Sequence, residues 1–265
     1  MISKFNVKLP KAASSSCIIL GNGPSLKDSL QHHPAIFKKH ELVCVDLFAL
    51  ADEYATIRPT YYVLLDPIFM GEAEDVKRMT AELLKKTTWP LHLLVPQKAR
   101  TSYLVRTIEK ENSSIHIHYF NYTVFKGFSS IAHFFYKHNL AAAQSQNVLV
   151  ISIFLSINIG FKNIYLVGAD HTWHDNLHVN EANQVCVKDA HFYENEQTIS
   201  YRLFYTNAKK ERTFTMAEIL TLLGKTFSGY EYLKKYADYR RVNICNCSGI
   251  SFIDTFERKK LEDIG

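Results

Sequence analysis

The 265-residue sequence predicts an α/β fold in which a Rossmann-like, mostly parallel sheet carries helices on both faces. Two observations predict it. Short runs rich in Ile, Leu and Val recur without polar alternation, which is typical of parallel strands buried on both faces. Helix-length segments separate several of these runs, as in strand–helix–strand units. We find no internal repeat, and expect one domain over residues 1–265.

The strands follow from the apolar runs and the helices from the segments between them. Residues 148–159 are ambiguous, because VLVISIFLSI fits a buried strand or a buried helix; its length and the following Gly160 favour a helix. Thr215 and Glu218 have the spacing of a capping box at the start of another helix. The predicted strands are 17–20, 42–45, 61–65, 91–95, 115–119, 163–167 and 242–246; the predicted helices include 75–86, 127–143, 148–159 and 215–236.

The pattern changes between residues 172 and 212. This stretch is polar, rich in His and Asn, and weakly periodic. It is longer than an ordinary connection, and loops of that length often act as lids. We therefore expect a long insertion at about 172–212 that is either a functional segment, such as a lid or a substrate-side insertion, or disordered.

Composition excludes several classes of protein. With 47% hydrophobic and 22% charged residues the chain is ordinary globular protein, and a net charge of +5 is too mild to predict nucleic-acid binding. Basic clusters after residue 200 form either a solvated face or a peripheral contact with an anionic membrane.

Cysteine usage and apolar runs bear on location. The five cysteines show neither a CxxC pair nor zinc-ligand spacing, which favours a reduced, cytoplasmic setting. The first residues lack a long apolar core, and the longest apolar run, 148–159, is too short to cross a bilayer. We expect a cytoplasmic protein, at most attached to the inner face of the membrane.

A glycine-rich loop follows the first predicted strand: Gly21, Asn22, Gly23, Pro24 and Ser25. The glycines permit close approach of a ligand to the backbone, and the amides at the start of the next helix favour an anion. The loop matches neither the P-loop nor the GxGxxG pattern. It is therefore a structural turn or a cradle for phosphate.

Asp46 and Asp66 each end a predicted strand. In an open α/β sheet the carboxyl ends of the strands face the ligand crevice, so both carboxylates are candidates for contact with a nucleotide. The alternative is that each aspartate caps the helix that follows.

The segment GADHTWHDNLH, residues 168–178, is the richest in chemical groups. It contains Asp170, His171, Trp173, His174 and His178. Histidine with carboxylate can bind a divalent ion, but this spacing matches no known metal motif, and we predict no metal site. A histidine acting as general base or acid fits better. Surface histidines on a loop are the alternative.

These motifs together resemble a known group of proteins. GNGPSL after the first strand, Asp-Pro after the third, GFKNIYLVGAD and the C-terminal NICNCSGISFIDTF are similar to bacterial sialyltransferases that use CMP-sialic acid. They are also similar to the broader family of 6-hydroxymethylpterin diphosphokinase-like domains and flagellin-glycosylating motility accessory factors. The resemblance covers residues 15–172 and 240–257 in patches.

The resemblance implies roles for individual positions. Gly21 to Ser25 would hold the nucleotide phosphate, and Asp46 and Asp66 stand where the sialyltransferases have asparagines. The other implied contacts are Ser145, Gln146 and Asn147 with the donor, Asp170, His171 and Trp173 near the leaving phosphate, and Ser248 and Gly249 near the cytosine.

The chain also departs from the sialyltransferases. Their catalytic histidine lies in a loop before the last long helix, where this chain reads NAKKERTFTMAE. If a histidine base is kept, His191 or His174 supplies it, with Asp170 a further catalytic candidate. Arg202 and Arg212 are candidates for contact with the phosphate or acceptor, because arginine binds phosphate with two parallel hydrogen bonds.

The resemblance implies a glycosyltransferase that takes a CMP-linked acidic sugar for a bacterial surface glycan, such as lipopolysaccharide or capsule. CMP leaves with one phosphate, so no cofactor is required. The alternative is a diphosphokinase of the 6-hydroxymethylpterin type, needing ATP and Mg²⁺ with Asp46, Asp66 and Asp170 as ligands. A third hypothesis is a non-enzymatic scaffold. The expected partners are a nucleotide sugar, a glycan acceptor and, in a homo-oligomer, further copies of the chain.

Overall fold

A computed structural model describes residues 7–189, 200–206 and 211–264. Its main sheet has eight strands, and every neighbouring pair is parallel. The strands are β1 Ser16–Leu20, β2 Glu41–Val45, β3 Tyr61–Val63, β4 Leu91–Pro96, β5 Ile115–Phe120, β6 Asn163–Val167, β7 Leu177–Val179, β8 Val185–Asp189, β9 Ser200–Leu203, β10 Asn243–Asn246 and β11 Glu257–Arg258. The helices are α1 Ser25–His32, α2 Pro34–Phe37, α3 Tyr54–Ile57, α4 Glu74–Lys86, α5 Tyr103–Glu111, α6 Ser129–Lys137, α7 Val148–Ile159 and α8 Met216–Arg240.

The predicted fold class is confirmed: the sheet is Rossmann-like and hydrophobic clusters fill both of its faces. All seven predicted strands are present, within two residues at each end. The predicted helix 127–143 is shorter, because Asn139 has a positive φ of 54° and Ala142 then donates to the carbonyl of Thr123 at 2.8 Å. Strand β11, only two residues long, was not predicted.

Helix α7 explains why residues 148–159 show no helical periodicity. Ten of its residues are buried, so an apolar side chain is favourable all round the helix. The Asn147 side chain caps it by accepting from the Val150 amide at 3.0 Å, and Gly160 ends it with a φ of +117°. The preference for a helix is confirmed.

Helix α8 packs against α7. Its predicted capping box is confirmed: the Glu218 amide donates to the Thr215 hydroxyl, and the Thr215 amide donates to the Glu218 carboxylate. The helix continues to Arg240, beyond the predicted end. Within the described ranges, no helix combines the length and the apolarity needed to cross a bilayer.

The segment predicted as a lid contains a separate antiparallel sheet of β7, β8 and β9. Its polar composition did not show these strands. A role as a lid stays a prediction.

The strand order defines where a ligand site is expected. It runs β11-β10-β6-β1-β2-β3-β4-β5, so the chain builds outwards from β1 to β5 and then returns to place β6 on the other side of β1. In sheets of this kind ligands bind at the carboxyl ends of the two strands where the direction reverses. Here these ends are the glycine loop after β1 and Gly168 after β6.

Candidate functional site

The two backbones after β1 and β6 cross in close contact. The Gly21 amide donates to the Val167 carbonyl at 2.8 Å, and the Gly23 amide donates to the Gly168 carbonyl at 2.9 Å. A methyl group on Gly21 would lie 2.4 Å from the Gly168 oxygen, and Gly168 itself has a φ of +69°. The glycines therefore allow the two backbones to pack directly against each other, with no side chain between them.

The carboxylate of Asp170 lies at the start of α1. The Ser25 amide donates to its Oδ2 at 2.9 Å, and the Ser25 hydroxyl donates to its Oδ1. Burial raises the pKa of Asp170, while these hydrogen bonds and the charge of Arg258 lower it in part. Asp170 thus occupies the place expected for an anion, and a phosphate bound there would have to displace it. That Gly21, Asn22, Gly23, Pro24 and Ser25 contact the nucleotide stays a prediction.

The loop after β10 is tied to the same strand end. The Ala169 amide donates to the Ser248 hydroxyl at 2.9 Å, and the Arg258 guanidinium donates to the carbonyls of Ser248 and Gly249 at 2.6 and 3.0 Å. Ser248 is buried and structural in this arrangement, whereas Gly249 is exposed. Both residues border the cleft described next.

A cleft of about 880 Å³ lies between α1 and this C-terminal loop. Its volume is within the range of small-molecule and cofactor sites. Its basic side chains are Lys27, Arg258, Lys259 and Lys260, joined by His32 and His33; its acidic ones are Asp28, Asp170 and Glu262. The excess of positive groups suits an anionic ligand. The sequence had shown the basic run 258–260, but as a solvated or docking face, and Lys27 carried no signal.

His171 lies in a second, buried part of the site. Its Nε2 is 2.5 Å from the Tyr230 hydroxyl and 3.1 Å from Asn147 Nδ2, and its ring lies on Trp173 with centroids 4.1 Å apart. Burial lowers the pKa of His171 to about 3. The imidazole is therefore neutral near pH 7 and a weak base. Tyr230 lies in the middle of a long helix and had no distinguishing sequence signal.

Of the three residues predicted in the turn before α7, Asn147 contacts His171 and Tyr230. Asn147 joins His171 to the helix cap. Ser145 is buried, its carbonyl accepts from the Tyr122 hydroxyl, and its own hydroxyl donates to Ala143 at 3.0 Å. Gln146 is exposed.

The two strand-end aspartates are used differently. Asp66 is exposed and accepts from the Ile68 amide at 2.9 Å, so it caps the short helix Pro67–Met70, which was the alternative interpretation. Asp46 starts the short helix Asp46–Leu50 with a φ of +47°. The Asn22 side chain donates to the neighbouring Val45 carbonyl at 3.5 Å, which places Asp46 beside the glycine loop.

Of the two predicted bases, the structure describes His174. His174 is half-buried, lies against the Phe252 ring at 4.1 Å and has its Nε2 3.3 Å from Asp175. His191 lies outside the described residues, and His178 is exposed.

Neither arginine borders the cleft. Arg202 is exposed with its guanidinium over the Phe204 ring. Arg212 pairs with both oxygens of Glu218 at 2.9 Å, at the start of α8.

Among the described residues, no group of three or more His, Cys, Asp or Glu side chains is placed to hold an ion. The carboxylates of Asp46, Asp66 and Asp170 therefore do not fit a joint magnesium site.

Comparisons with known proteins bear on the fold and the family. The family model described as 6-hydroxymethylpterin diphosphokinase MptE-like matches residues 1–176. A solved structure, the MAf glycosyltransferase from Magnetospirillum magneticum AMB-1, superposes with a TM-score of 0.54 at 16% identity. The match covers 99% of this chain and only 36% of that one. No curated protein sequence matches.

Proposed function

The chain belongs to the 6-hydroxymethylpterin diphosphokinase MptE-like family, and from this premise we propose that it is a glycosyltransferase using a nucleotide-activated sugar. A solved structure that matches nearly all of the chain is named a glycosyltransferase. We further propose a CMP-linked acidic sugar as donor and a bacterial surface glycan as product, made at the inner face of the membrane.

The basic cleft is the observation that carries the proposal. It lies at the reversal point of the sheet, and four of its lining residues carry full positive charges. A CMP-linked acidic sugar bears one phosphate and one carboxylate, so Lys27 at one wall and 258–260 at the other can each meet a negative group. Asp170 supports the glycine loop by accepting from the Ser25 amide, which joins the start of α1 to the end of β6.

The proposed reaction is a direct displacement. A histidine base, His174 or His191, removes the proton of an acceptor hydroxyl, whose oxygen then bonds to the anomeric carbon of the sugar. The bond from that carbon to the phosphate oxygen breaks, and CMP leaves with the electron pair. Lys27 and Arg258 stabilise the charge on the leaving phosphate. Asp175 orients His174 in this scheme.

The alternative is the diphosphokinase activity that the family description names. It would need ATP with Mg²⁺, and the described residues lack a three-carboxylate site for the ion. A site made of two carboxylates and substrate phosphates would still hold the ion, so the alternative stays testable. The activity named for the solved structure is what supports glycosyl transfer over it.

Calorimetry with CMP and with ATP, each with and without Mg²⁺, separates the two. Metal-independent binding of CMP supports the glycosyltransferase and contradicts the kinase. Binding of ATP only with Mg²⁺ does the reverse. If neither nucleotide binds, the enzyme proposal is wrong, and a scaffold role becomes the better hypothesis.

The identity of the base is tested by His174→Ala and His191→Ala. Each is assayed for release of CMP from CMP-sialic acid, with CMP binding measured in parallel. Loss of turnover with intact binding identifies the base. Full turnover in both variants would remove histidine from the mechanism.

A further inference from the structure

Helix α6 turns an apolar face to solvent. Ile131 and Phe134 are three residues apart on that face and are 47% and 55% exposed; Phe128, three residues earlier, is 82% exposed. Side chains with this spacing are neighbours on a helix surface. We refer to Phe128, Ile131 and Phe134 as the α6 patch. Exposed apolar side chains are common singly, but a contiguous row of large ones indicates an interaction surface.

The opposite side of α6 is anchored to the domain, so the exposure does not reflect a detached helix. Ala132 and Tyr136 are buried, and the Tyr136 hydroxyl donates to the Phe125 carbonyl at 2.7 Å. His133 lies between α6 and α8, with its ring 4.8 Å from that of Tyr239, which is itself 55% exposed. The apolar surface therefore continues from the α6 patch towards the end of α8.

The chain segment that carries the α6 patch has charged side chains of one sign. Residues 112–169 contain no Asp or Glu at all. The exposed charged residues that flank the patch are Lys126 and Lys137, and His138 is also exposed. Apolar and aromatic side chains bordered by lysines are the composition of surfaces that lie in the headgroup region of an anionic bilayer.

We propose that the α6 patch docks the protein on an anionic lipid surface. A second copy of the chain fits less well, because a two-fold interface places the same patch on both sides. Such an interface would hold two copies of Lys126 and Lys137, with no carboxylate from 112–169 to pair with. The exposed carboxylates of the neighbouring α8 are Glu231 and Asp238, and Asp238 already pairs with Lys234. Among the basic clusters after residue 200, which the sequence indicated as candidates for membrane contact, the run 258–260 borders the cleft instead.

Sedimentation with vesicles tests the proposal on the full chain. One set of vesicles is phosphatidylcholine alone; the other contains phosphatidylcholine and phosphatidylglycerol in equal parts. We expect binding to the anionic vesicles that weakens as salt is added, and little binding to phosphatidylcholine. The double variant I131S/F134S lowers the partition coefficient roughly tenfold or more, since two apolar side chains leave the bilayer. Lys137→Gln lowers it roughly fivefold on anionic vesicles only.

Leu220→Ser is the matched control. Leu220 is 51% exposed on α8 and lies nineteen residues before Tyr239, about 28 Å along the helix. It should bind vesicles like the wild type, and all variants should melt like the wild type because the altered side chains are exposed. The proposal is overturned if the wild type ignores anionic vesicles or if I131S/F134S binds them equally well. It is also overturned if light scattering shows a dimer that I131S/F134S abolishes. None of these readouts depends on catalysis.

Discussion

Gly23→Ala tests the contact that joins α1 to the end of β6. An added methyl group would lie 2.6 Å from the Asp170 Cγ and 2.6 Å from the Gly168 carbonyl oxygen. Both distances are shorter than a carbon atom tolerates. The carboxylate must therefore withdraw, or the two backbones must separate.

The magnitude follows from the bonds that are lost. Asp170 accepts two hydrogen bonds from Ser25, and a hydrogen bond to a charged group contributes roughly 1.5–3 kcal/mol. Partial rehydration of the freed carboxylate offsets some of this. We expect the free energy of unfolding to fall by about 3 kcal/mol, which lowers the melting temperature by roughly 6–12 °C.

Thermal and urea denaturation followed by circular dichroism measure this effect. Gly249→Ala is the matched control, because its added methyl would lie 3.7 Å from the Ser25 Cβ, an ordinary contact. It should stay within about 0.5 kcal/mol of the wild type. If Gly23→Ala melts together with Gly249→Ala, the described contact between the glycine loop and Asp170 is wrong.

Three further predictions concern α8 and the buried histidine. Gly224→Ala should raise the free energy of unfolding by about 1 kcal/mol, because an added methyl group meets nothing within 4 Å and alanine favours a helix. Gly229→Ala should lower the free energy of unfolding by about 3 kcal/mol, because its methyl group would lie 2.5 Å from the Gln144 carbonyl oxygen. Tyr230→Phe removes a partner of His171 and should lower it by about 1–2 kcal/mol. The pKa of His171 is about 3 in the fold and ordinarily 6.5, so between these pH values the unfolded chain binds a proton that the folded protein does not. The free energy of unfolding should therefore be unaffected by His171 above pH 6.5 and should fall as the pH drops towards 3. Glu218→Gln should destabilise the protein at neutral pH, and this difference should vanish as the pH falls from 4.5 to about 2, because the pKa of Glu218 is lowered to about 2 by its arginine partner.

Urea denaturation at a series of pH values measures all three. A destabilised Gly224→Ala would show an unseen packing partner on α8. The variant His171→Gln lacks the imidazole and should lose less stability than the wild type between pH 6.5 and pH 3. Equal losses in the two proteins would show that His171 is hydrated in the native state. A constant gap between Glu218→Gln and the wild type down to pH 2 would show that the pair with Arg212 does not form in solution.

The sheet was predictable because the parallel strands are buried on both faces. Burial on both sides demands apolar residues at every position, so β1, β2 and β6 stand out as continuous runs. The capping box of α8 was equally visible, since it depends on local spacing alone. The sheet of β7, β8 and β9 was missed because its strands are short: the buried apolar run of β8, Val185 to Val187, is only three residues long and lies in an otherwise polar stretch.

The site was predictable only in outline. The sequence placed Asp170 and the glycine loop at strand ends, but not in contact, because Ser25 and Asp170 are 145 residues apart in the chain. For the same reason the sequence did not predict the contact between His171 and Tyr230, or that Lys27 and the run 258–260 border one cleft. For Asp66, the local alternative of a helix cap was visible in advance and is what the structure shows.

The central claim is that the basic cleft binds the donor nucleotide, and calorimetric titration of CMP into two lysine variants tests it most directly. Lys27 borders the cleft, whereas Lys77 is an exposed lysine of α4 that does not. We predict that Lys27→Gln weakens CMP binding roughly tenfold, since a charged partner of the phosphate is lost, and that Lys77→Gln leaves it unchanged. Equal affinities in the two variants would contradict the assignment of the cleft.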